Sequence, residues 1–291
     1  WELFKGIFPP LNKETWVFYF DQYKQIPEYK EVNFDMSITE FKIIYYWEYG
    51  HRLLARVIGL FSILPLIYLF FKFRNCRKEI LKYSIIFLLI CFQGLVGWFM
   101  VKSGLINNTD VSHYRLALHL TVAFLILSIV FWFILKNLKI EKFKKILPQN
   151  FLRLFLFLII VQIILGAFLA GLNGGLLYNT WPDMNGNFLP SDIVTNEIFL
   201  LESSSNPSVI QFYHRIIAYL ILLFLIILNF FFYKNDLNYK PLIFLNFAIF
   251  LQVIIGIITL LTGVKISYAS LHQLGSILVL TSFLLVVYKN S

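Results

Sequence analysis

Seven long apolar segments restrict what this chain can fold into. They lie at about residues 51–72, 83–101, 114–135, 151–172, 209–233, 241–262 and 266–288. Each is close to the roughly 20 residues that an α-helix needs to cross a bilayer. They are apolar on all sides, without the alternation of period two that strands of a membrane β-barrel show. The sequence therefore predicts an all-α polytopic membrane protein with seven transmembrane helices.

The distribution of charge predicts the orientation of these helices. Only 14% of the residues are charged, against about 25% in a soluble domain. Basic residues cluster in the connections 72–82 and 136–145, whereas residues 173–208 contain no Lys or Arg. By the positive-inside rule, residues 1–47 lie outside and the C-terminus is cytoplasmic in a bacterial inner membrane. In a mitochondrial inner membrane the C-terminus would face the matrix. The net charge of +9 is accounted for by these topology signals, so nucleic-acid binding is not expected. Membrane lipids would surround the apolar segments.

Four histidines near the outer ends of four apolar segments are the main candidate functional residues. They are His51, His119, His214 and His272. An ionisable side chain within a membrane span is costly, which makes it a functional-site candidate. The alternatives are histidines that serve only packing, and zinc ligands. Zinc is disfavoured because no Cys or carboxylate cluster accompanies the histidines.

The histidines belong to an internal repeat. The matching pieces are His51-Arg52 with His214-Arg215, Gln93-x-x-x-Gly97 with Gln252-x-x-x-Gly256, and Leu118-His119 with Leu271-His272. We expect two halves, residues 1–150 and 151–291, related by an axis along the membrane normal. Each half then contributes one histidine pair.

The repeat also predicts a further helix ahead of this chain. Trp1, Gly6 and Pro10 match Trp181, Gly186 and Pro190, and the second set follows the apolar segment 151–172. The expected architecture is two pseudo-symmetric four-helix bundles with the first helix missing. The alternative is a natural seven-helix protein.

Small residues beside the histidines favour axial ligation of haem. The residue four positions after each histidine lies on the same helical face. These residues are Ala55, Ala123, Ala218 and Ser276. A flat porphyrin lying beside its ligand needs such room, although small residues also serve plain helix packing in membranes.

The two histidine pairs differ in one acidic side chain. Glu48 precedes His51 by three residues, whereas Gln211 takes the same place before His214. Glu48 either acts as an acid/base or charge-stabilising group or pairs with Arg52 at helical spacing.

Outer arginines are candidates to bind haem propionates through their planar guanidinium groups. They are Arg52, Arg56, Arg115 and Arg215, and the alternative is that they extend to the membrane interface. His113 lacks a counterpart in the second half and is interpreted as an interface residue.

Several motifs together resemble the haem A synthase family of mitochondria and many proteobacteria. They are Trp47-Glu48-Tyr49-Gly50-His51-Arg52, Asp110-Val-Ser-His113-Tyr-Arg115-Leu-Ala-Leu-His119, Asn179-Thr-Trp-Pro-Asp-Met-Asn-Gly186, His214-Arg215 and Leu271-His272-Gln273. The resemblance covers essentially the whole chain. Members of the family have eight helices, so the first would be absent here.

The resemblance implies an oxidoreductase that converts the C8 methyl group of haem O to a formyl group by successive hydroxylations. His51 and His119 would hold haem O as substrate, with Glu48 as the essential acid. His214 and His272 would be axial ligands of a haem b cofactor. Haem O synthase would supply the substrate and cytochrome c oxidase assembly would use the product. Some members carry a cysteine pair in an outer loop that handles electrons, but this chain has only Cys76 and Cys91. Its electron acceptor stays open. Whether it forms a homo-oligomer also stays open.

Two other functions remain open at this point. One is a bis-histidine b-type electron-transfer cytochrome without a substrate haem. The other is a transporter with a polar site at the midplane, which predicts helices broken at the membrane centre.

Overall fold

The computed structural model describes residues 8–72, 77–104, 108–143, 147–190, 192–193, 201–235 and 239–291. Within these ranges the chain is built from α-helices and two short 3₁₀ turns, Gly174–Leu176 and Leu201–Ser205, without a β-strand. The predicted all-α class is therefore confirmed. Trp1 and Gly6 of the repeat, and Cys76, lie outside the described residues.

The described residues form nine α-helices. They are α1 (Lys13–Tyr23), α2 (Pro27–Glu31), α3 (Ile38–Lys72), α4 (Arg77–Gly104), α5 (His113–Asn137), α6 (Gln149–Gly171), α7 (Pro207–Lys234), α8 (Lys240–Leu261) and α9 (Ile266–Lys289). Seven of them, α3 to α9, are long and apolar enough to cross a membrane. These seven correspond to the seven predicted segments.

The start of the first spanning helix differs from the prediction. Helix α3 begins at Ile38 rather than near residue 51, so His51 lies inside the helix and not at its beginning. Ser37 and Glu40 form a reciprocal cap: the Glu40 carboxylate accepts from the Ser37 amide at 2.8 Å, and the Ser37 hydroxyl accepts from the Glu40 amide at 3.3 Å. This capping box satisfies amides that the first helical turn leaves unpaired.

Helix α3 is also longer than a bilayer requires. Its 35 residues rise about 52 Å at roughly 1.5 Å per residue, whereas the hydrocarbon core is about 30 Å thick. Its outer turns pack against α1 and α2 through an aromatic cluster, defined by the buried side chains of Trp16, Phe20, Phe41 and Tyr45. The Trp16 and Tyr45 rings meet edge to face with centroids 5.0 Å apart. This cluster supports the part of α3 that leads to Glu48 and His51.

The chain separates into two compact units, Trp1–Arg115 and Leu116–Ser291. In the second unit, α6 packs along α7 and α8 packs along α9. Large side chains fill the space among these helices, among them Phe155, Leu228, Phe232 and Phe283, none of which is measurably exposed. The predicted division into repeat halves at residue 150 stays a prediction about symmetry.

A pair of amides joins α7 and α8 within the apolar core of the second unit. Asn229 donates to Asn246 Oδ1 at 2.9 Å, and Asn246 donates back to Asn229 Oδ1 at 3.0 Å. Each amide thereby gives the other a hydrogen-bond partner beside side chains that are mostly apolar. The pair therefore sets the register of α7 against α8.

We expect the Asn229→Leu and Asn246→Leu variants to destabilise the protein non-additively. Interhelical hydrogen bonds in membranes contribute about 0.6 to 1.7 kcal/mol. The loss of stability in the double variant should therefore be smaller than the sum of the two single losses by an amount of this order. Thermal unfolding of the four proteins of the cycle in detergent measures it. Additive losses would show that the two amides act independently.

Candidate functional site

Two of the four predicted histidines converge inside the second unit. His214 lies on α7 and His272 on α9, with imidazole centroids 6.4 Å apart and ring planes inclined at 69°. A bond between a metal and an imidazole nitrogen is about 2 Å long, so two imidazoles on opposite sides of one metal have centroids about 6 Å apart. The spacing of these rings therefore fits two axial ligands of one metal ion.

The nitrogens of these rings are consistent with ligation. His214 Nε2 lies 3.2 Å from the side-chain nitrogen of Gln162 on α6. The Nδ1 atoms of His214 and His272 are buried and have no hydrogen-bond partner among the described residues. A histidine that binds a metal uses one ring nitrogen and usually gives the other a hydrogen-bond partner. In His214, Nε2 has a polar contact with Gln162, and the buried Nδ1 is without a hydrogen-bond partner among the described residues.

Two glycines lie against the rings, and one of them makes room that its ring requires. A Cβ atom added at Gly256 on α8 would lie 2.7 Å from His272 Cε1, a distance that real Cβ atoms do not adopt. A Cβ atom added at Gly166 on α6 would lie 3.4 Å from His214 Cε1, which is an ordinary contact. The absence of a side chain at residue 256 is thus required for the placement of His272.

We predict that Gly256→Ala displaces His272 and lowers haem content strongly, while Gly166→Ala leaves it close to that of the wild type. Alanine stabilises a helix by about 1 kcal/mol relative to glycine, so any loss in Gly256→Ala reports the clash with the ring. The pyridine haemochrome spectrum of each purified variant measures this content. Equal haem content in the two variants would refute the assignment.

An outer loop is tied to α7 directly above His214. Arg215 donates to the carbonyls of Tyr178 at 3.0 Å and Asp183 at 2.6 Å. Gln211 is 2% exposed and donates to the same Tyr178 carbonyl at 3.0 Å. These contacts occupy part of the Arg215 guanidinium, and its predicted role with a propionate stays a prediction.

Asp192 completes the attachment of this loop. Its carboxylate accepts hydrogen bonds from the Tyr178 hydroxyl and, at 2.6 Å, from the Ser208 hydroxyl at the start of α7. Partial burial opposes ionisation, but the hydrogen bonds from Ser208 and Tyr178 prevail and lower the pKa of Asp192 below its ordinary value. The carboxylate is thereby ionised at neutral pH and holds the loop against the helix.

The four histidines lie at similar distances from the inner ends of their own helices. His51, His119, His214 and His272 precede those ends by 21, 18, 20 and 17 residues. At the rise of an α-helix these separations are about 26 to 32 Å, close to the thickness of the hydrocarbon core. Each histidine is thus placed near the outer boundary of its span.

The first histidine pair is divided between the two units. His51 lies on α3 in the first unit, and His119 lies on α5 in the second unit. Their pairing stays a prediction of the repeat. Glu48 Oε1 is 3.8 Å from a guanidinium nitrogen of Arg52 on the next helical turn, which is the ion pair that the sequence offered as an alternative to an acid/base role.

The other predicted outer residues have separate surroundings. The Arg115 guanidinium lies over the Phe99 ring at 5.0 Å from its centroid, within the first unit. The ring of His113 lies against that of Tyr114, with centroids 4.0 Å apart. Arg56 lies on α3, one turn after Arg52. The roles of Arg56 and Arg115 at a haem, and of His113 at the membrane interface, stay predictions.

Within the described ranges, no group of three or more His, Cys, Asp or Glu side chains gathers where it could hold a metal ion. A structural zinc site usually requires four such ligands. A bis-histidine arrangement needs only two protein ligands, because the porphyrin supplies the remaining four. The donor set in the second unit therefore fits haem.

Comparison with known proteins shows the family of this chain. Residues 1–284 match the COX15-CtaA family, described as a cytochrome oxidase assembly protein. The chain belongs to the COX15-CtaA family. It is 55% identical to Heme A synthase of Pelagibacter ubique (strain HTCC1062), over 100% of this chain and 87% of the relative. It is 43% identical to Heme A synthase of Rickettsia bellii (strain OSU 85-389), over 97% and 85% of the two chains.

Membership of the COX15-CtaA family and the seven apolar helices identify a multi-pass protein of the bacterial inner membrane. Four residues beside the histidines of the second unit were not predicted from the sequence: Gln162, Gly166, Tyr178 and Asp192. A signal for the first two was present, because Gln162-x-x-x-Gly166 is a third copy of the pattern found at Gln93 and Gln252. The polar contacts of Tyr178 and Asp192 have no such signal.

Proposed function

We propose that this protein is a haem A synthase, an enzyme that oxidises the C8 methyl group of haem O to a formyl group. The observation that carries the proposal is the convergence of His214 and His272 in a chain that is 55% identical over its whole length to a Heme A synthase. The product would serve cytochrome c oxidase, in keeping with the description of the family. Haem O synthase would supply the substrate.

The second unit would hold the cofactor haem b through His214 and His272. Haem b, when bound, supplies a one-electron redox centre. Gln162 keeps one nitrogen of His214 in a polar contact, and Gly256 leaves space for the His272 ring. Arg215 and Asp192 attach the outer loop to α7 beside this site.

The first histidine pair would bind the substrate. His51 and His119 would hold haem O, and Arg52, Arg56 and Arg115 would offer positive charge at the same end of their helices. Glu48 can hold or release a proton at its carboxylate, and a guanidinium nitrogen of Arg52 lies 3.8 Å from it. Gln211, at the matching repeat position, cannot carry a proton and instead donates to the Tyr178 carbonyl. A carboxyl group that can transfer a proton thus stands beside the proposed substrate site, and an amide that cannot stands beside the proposed cofactor site.

Extraction of the haems from the purified protein tests the proposal. We expect haem b together with haem O or haem A, resolved by reversed-phase chromatography and mass spectrometry. Two equivalents of haem b per chain, with neither haem O nor haem A, would instead identify an electron-transfer cytochrome. Protein without a Soret band would overturn both and favour a transporter.

Glu48→Gln should retain both haems but lose haem A formation by at least about 100-fold, the scale on which proton transfer by a positioned side chain contributes. The measurement is the ratio of haem A to haem O in membranes of a host that makes haem O. Glu79→Gln is the matched control, because Glu79 also pairs with a basic residue on its own helix, Lys82. Haem A formation at the wild-type level in Glu48→Gln would refute the catalytic role of Glu48.

A further inference from the structure

A glutamine followed four residues later by a glycine occurs on three of the spanning helices. The copies are Gln93-x-x-x-Gly97 on α4, Gln162-x-x-x-Gly166 on α6 and Gln252-x-x-x-Gly256 on α8. Residues four apart lie on one face of a helix. Each copy therefore places an amide next to a position that has no side chain. Intramembrane amides are costly unless they find a partner. The partners of two copies are visible in the second unit.

Both copies in the second unit face a histidine of the candidate site. On α6, Gln162 contacts the ring of His214 at 3.2 Å, and Gly166 lies against the same ring. On α8, Gln252 donates to the backbone carbonyl of His272 at 2.8 Å, and Gly256 lies against the ring. The same two residues thus seat each ligand on the neighbouring helix.

The two glutamines differ in what they contact. Gln252 contacts the backbone of α9 and so places the helix that carries His272. Gln162 contacts a ring nitrogen of His214, and that nitrogen has no other hydrogen-bond partner among the described residues. Hydrogen bonding to the nitrogen that does not bind the metal fixes the tautomer and the basicity of a ligand histidine.

We infer that Gln162 is a positioning residue for His214, which selects the ring nitrogen available to iron and thereby tunes the affinity and potential of haem b. The inference rests on the proposed haem b site. When Nδ1 binds iron, Nε2 carries a proton, and Gln162 accepts it through its oxygen once its side-chain amide is turned over, because its nitrogen is the atom that lies 3.2 Å from Nε2 here. The potential of a haem depends on such hydrogen bonds to its axial ligands.

Haem b titration into the haem-depleted full chain, followed by redox titration and electron paramagnetic resonance of the loaded protein, tests the inference. Gln162→Leu removes the contact and should weaken haem b binding by about 10- to 100-fold and raise the potential. Gln162→Glu strengthens acceptance from the ring and should lower the potential. Opposite shifts in the two variants are a signature that a packing defect alone does not produce.

Gln149→Leu provides the matched control. Gln149 begins the same helix and donates to the Asn290 carbonyl at 3.4 Å at the inner end, so its loss should leave haem b affinity, spectrum and potential as in the wild type. Wild-type affinity and potential in both Gln162 variants would overturn the inference while leaving the proposed function intact. If Gln162→Leu does not fold, the potential of Gln162→Glu decides alone. Absence of haem b from the wild-type protein would defeat the proposed function itself.

Discussion

Four apolar helices of the second unit meet around two imidazoles that a bilayer would otherwise exclude. The rings of His214 and His272 approach to 6.4 Å between centroids, and much of the surrounding arrangement depends on this approach. Gly256 leaves space for one ring, Gln162 contacts the other, and Gln252 holds the backbone of α9. An intramembrane polar group needs a partner, and these contacts provide one for the side chains of Gln162 and Gln252.

Under the proposed function, the two repeats place different groups beside their histidine pairs. At the position three residues before the first histidine of each pair, Gln211 is buried and bonded to the loop above it, whereas the Glu48 side chain is about a third exposed and lies near Arg52. An amide in a fixed hydrogen bond stabilises a resting ligand site. Beside the proposed substrate site, the Glu48 carboxylate would be able to exchange protons. On this proposal, the two repeats place their histidines alike and differ in the group beside them.

The number and approximate positions of the spanning helices could be predicted from the sequence, because apolar length alone selects them. The beginning of α3 could not be predicted in this way, because residues 38–50 are aromatic and charged rather than uniformly apolar. Their helical form depends on the Ser37 and Glu40 cap and on the aromatic cluster. The capping pattern was readable in the sequence. Its extension into a 35-residue helix depends on packing against α1, which no local pattern reports.

By itself the sequence determined the fold class, the repeat and the four histidines, because these follow from hydropathy and spacing along one chain. Only the tertiary structure decided that His214 and His272 face one another, that Gln162 serves His214, and that Arg215 and Gln211 hold the outer loop. These facts depend on side chains of different helices meeting in space. Their partners are 32 to 58 residues away along the chain, a separation that periodicity within a helix cannot predict.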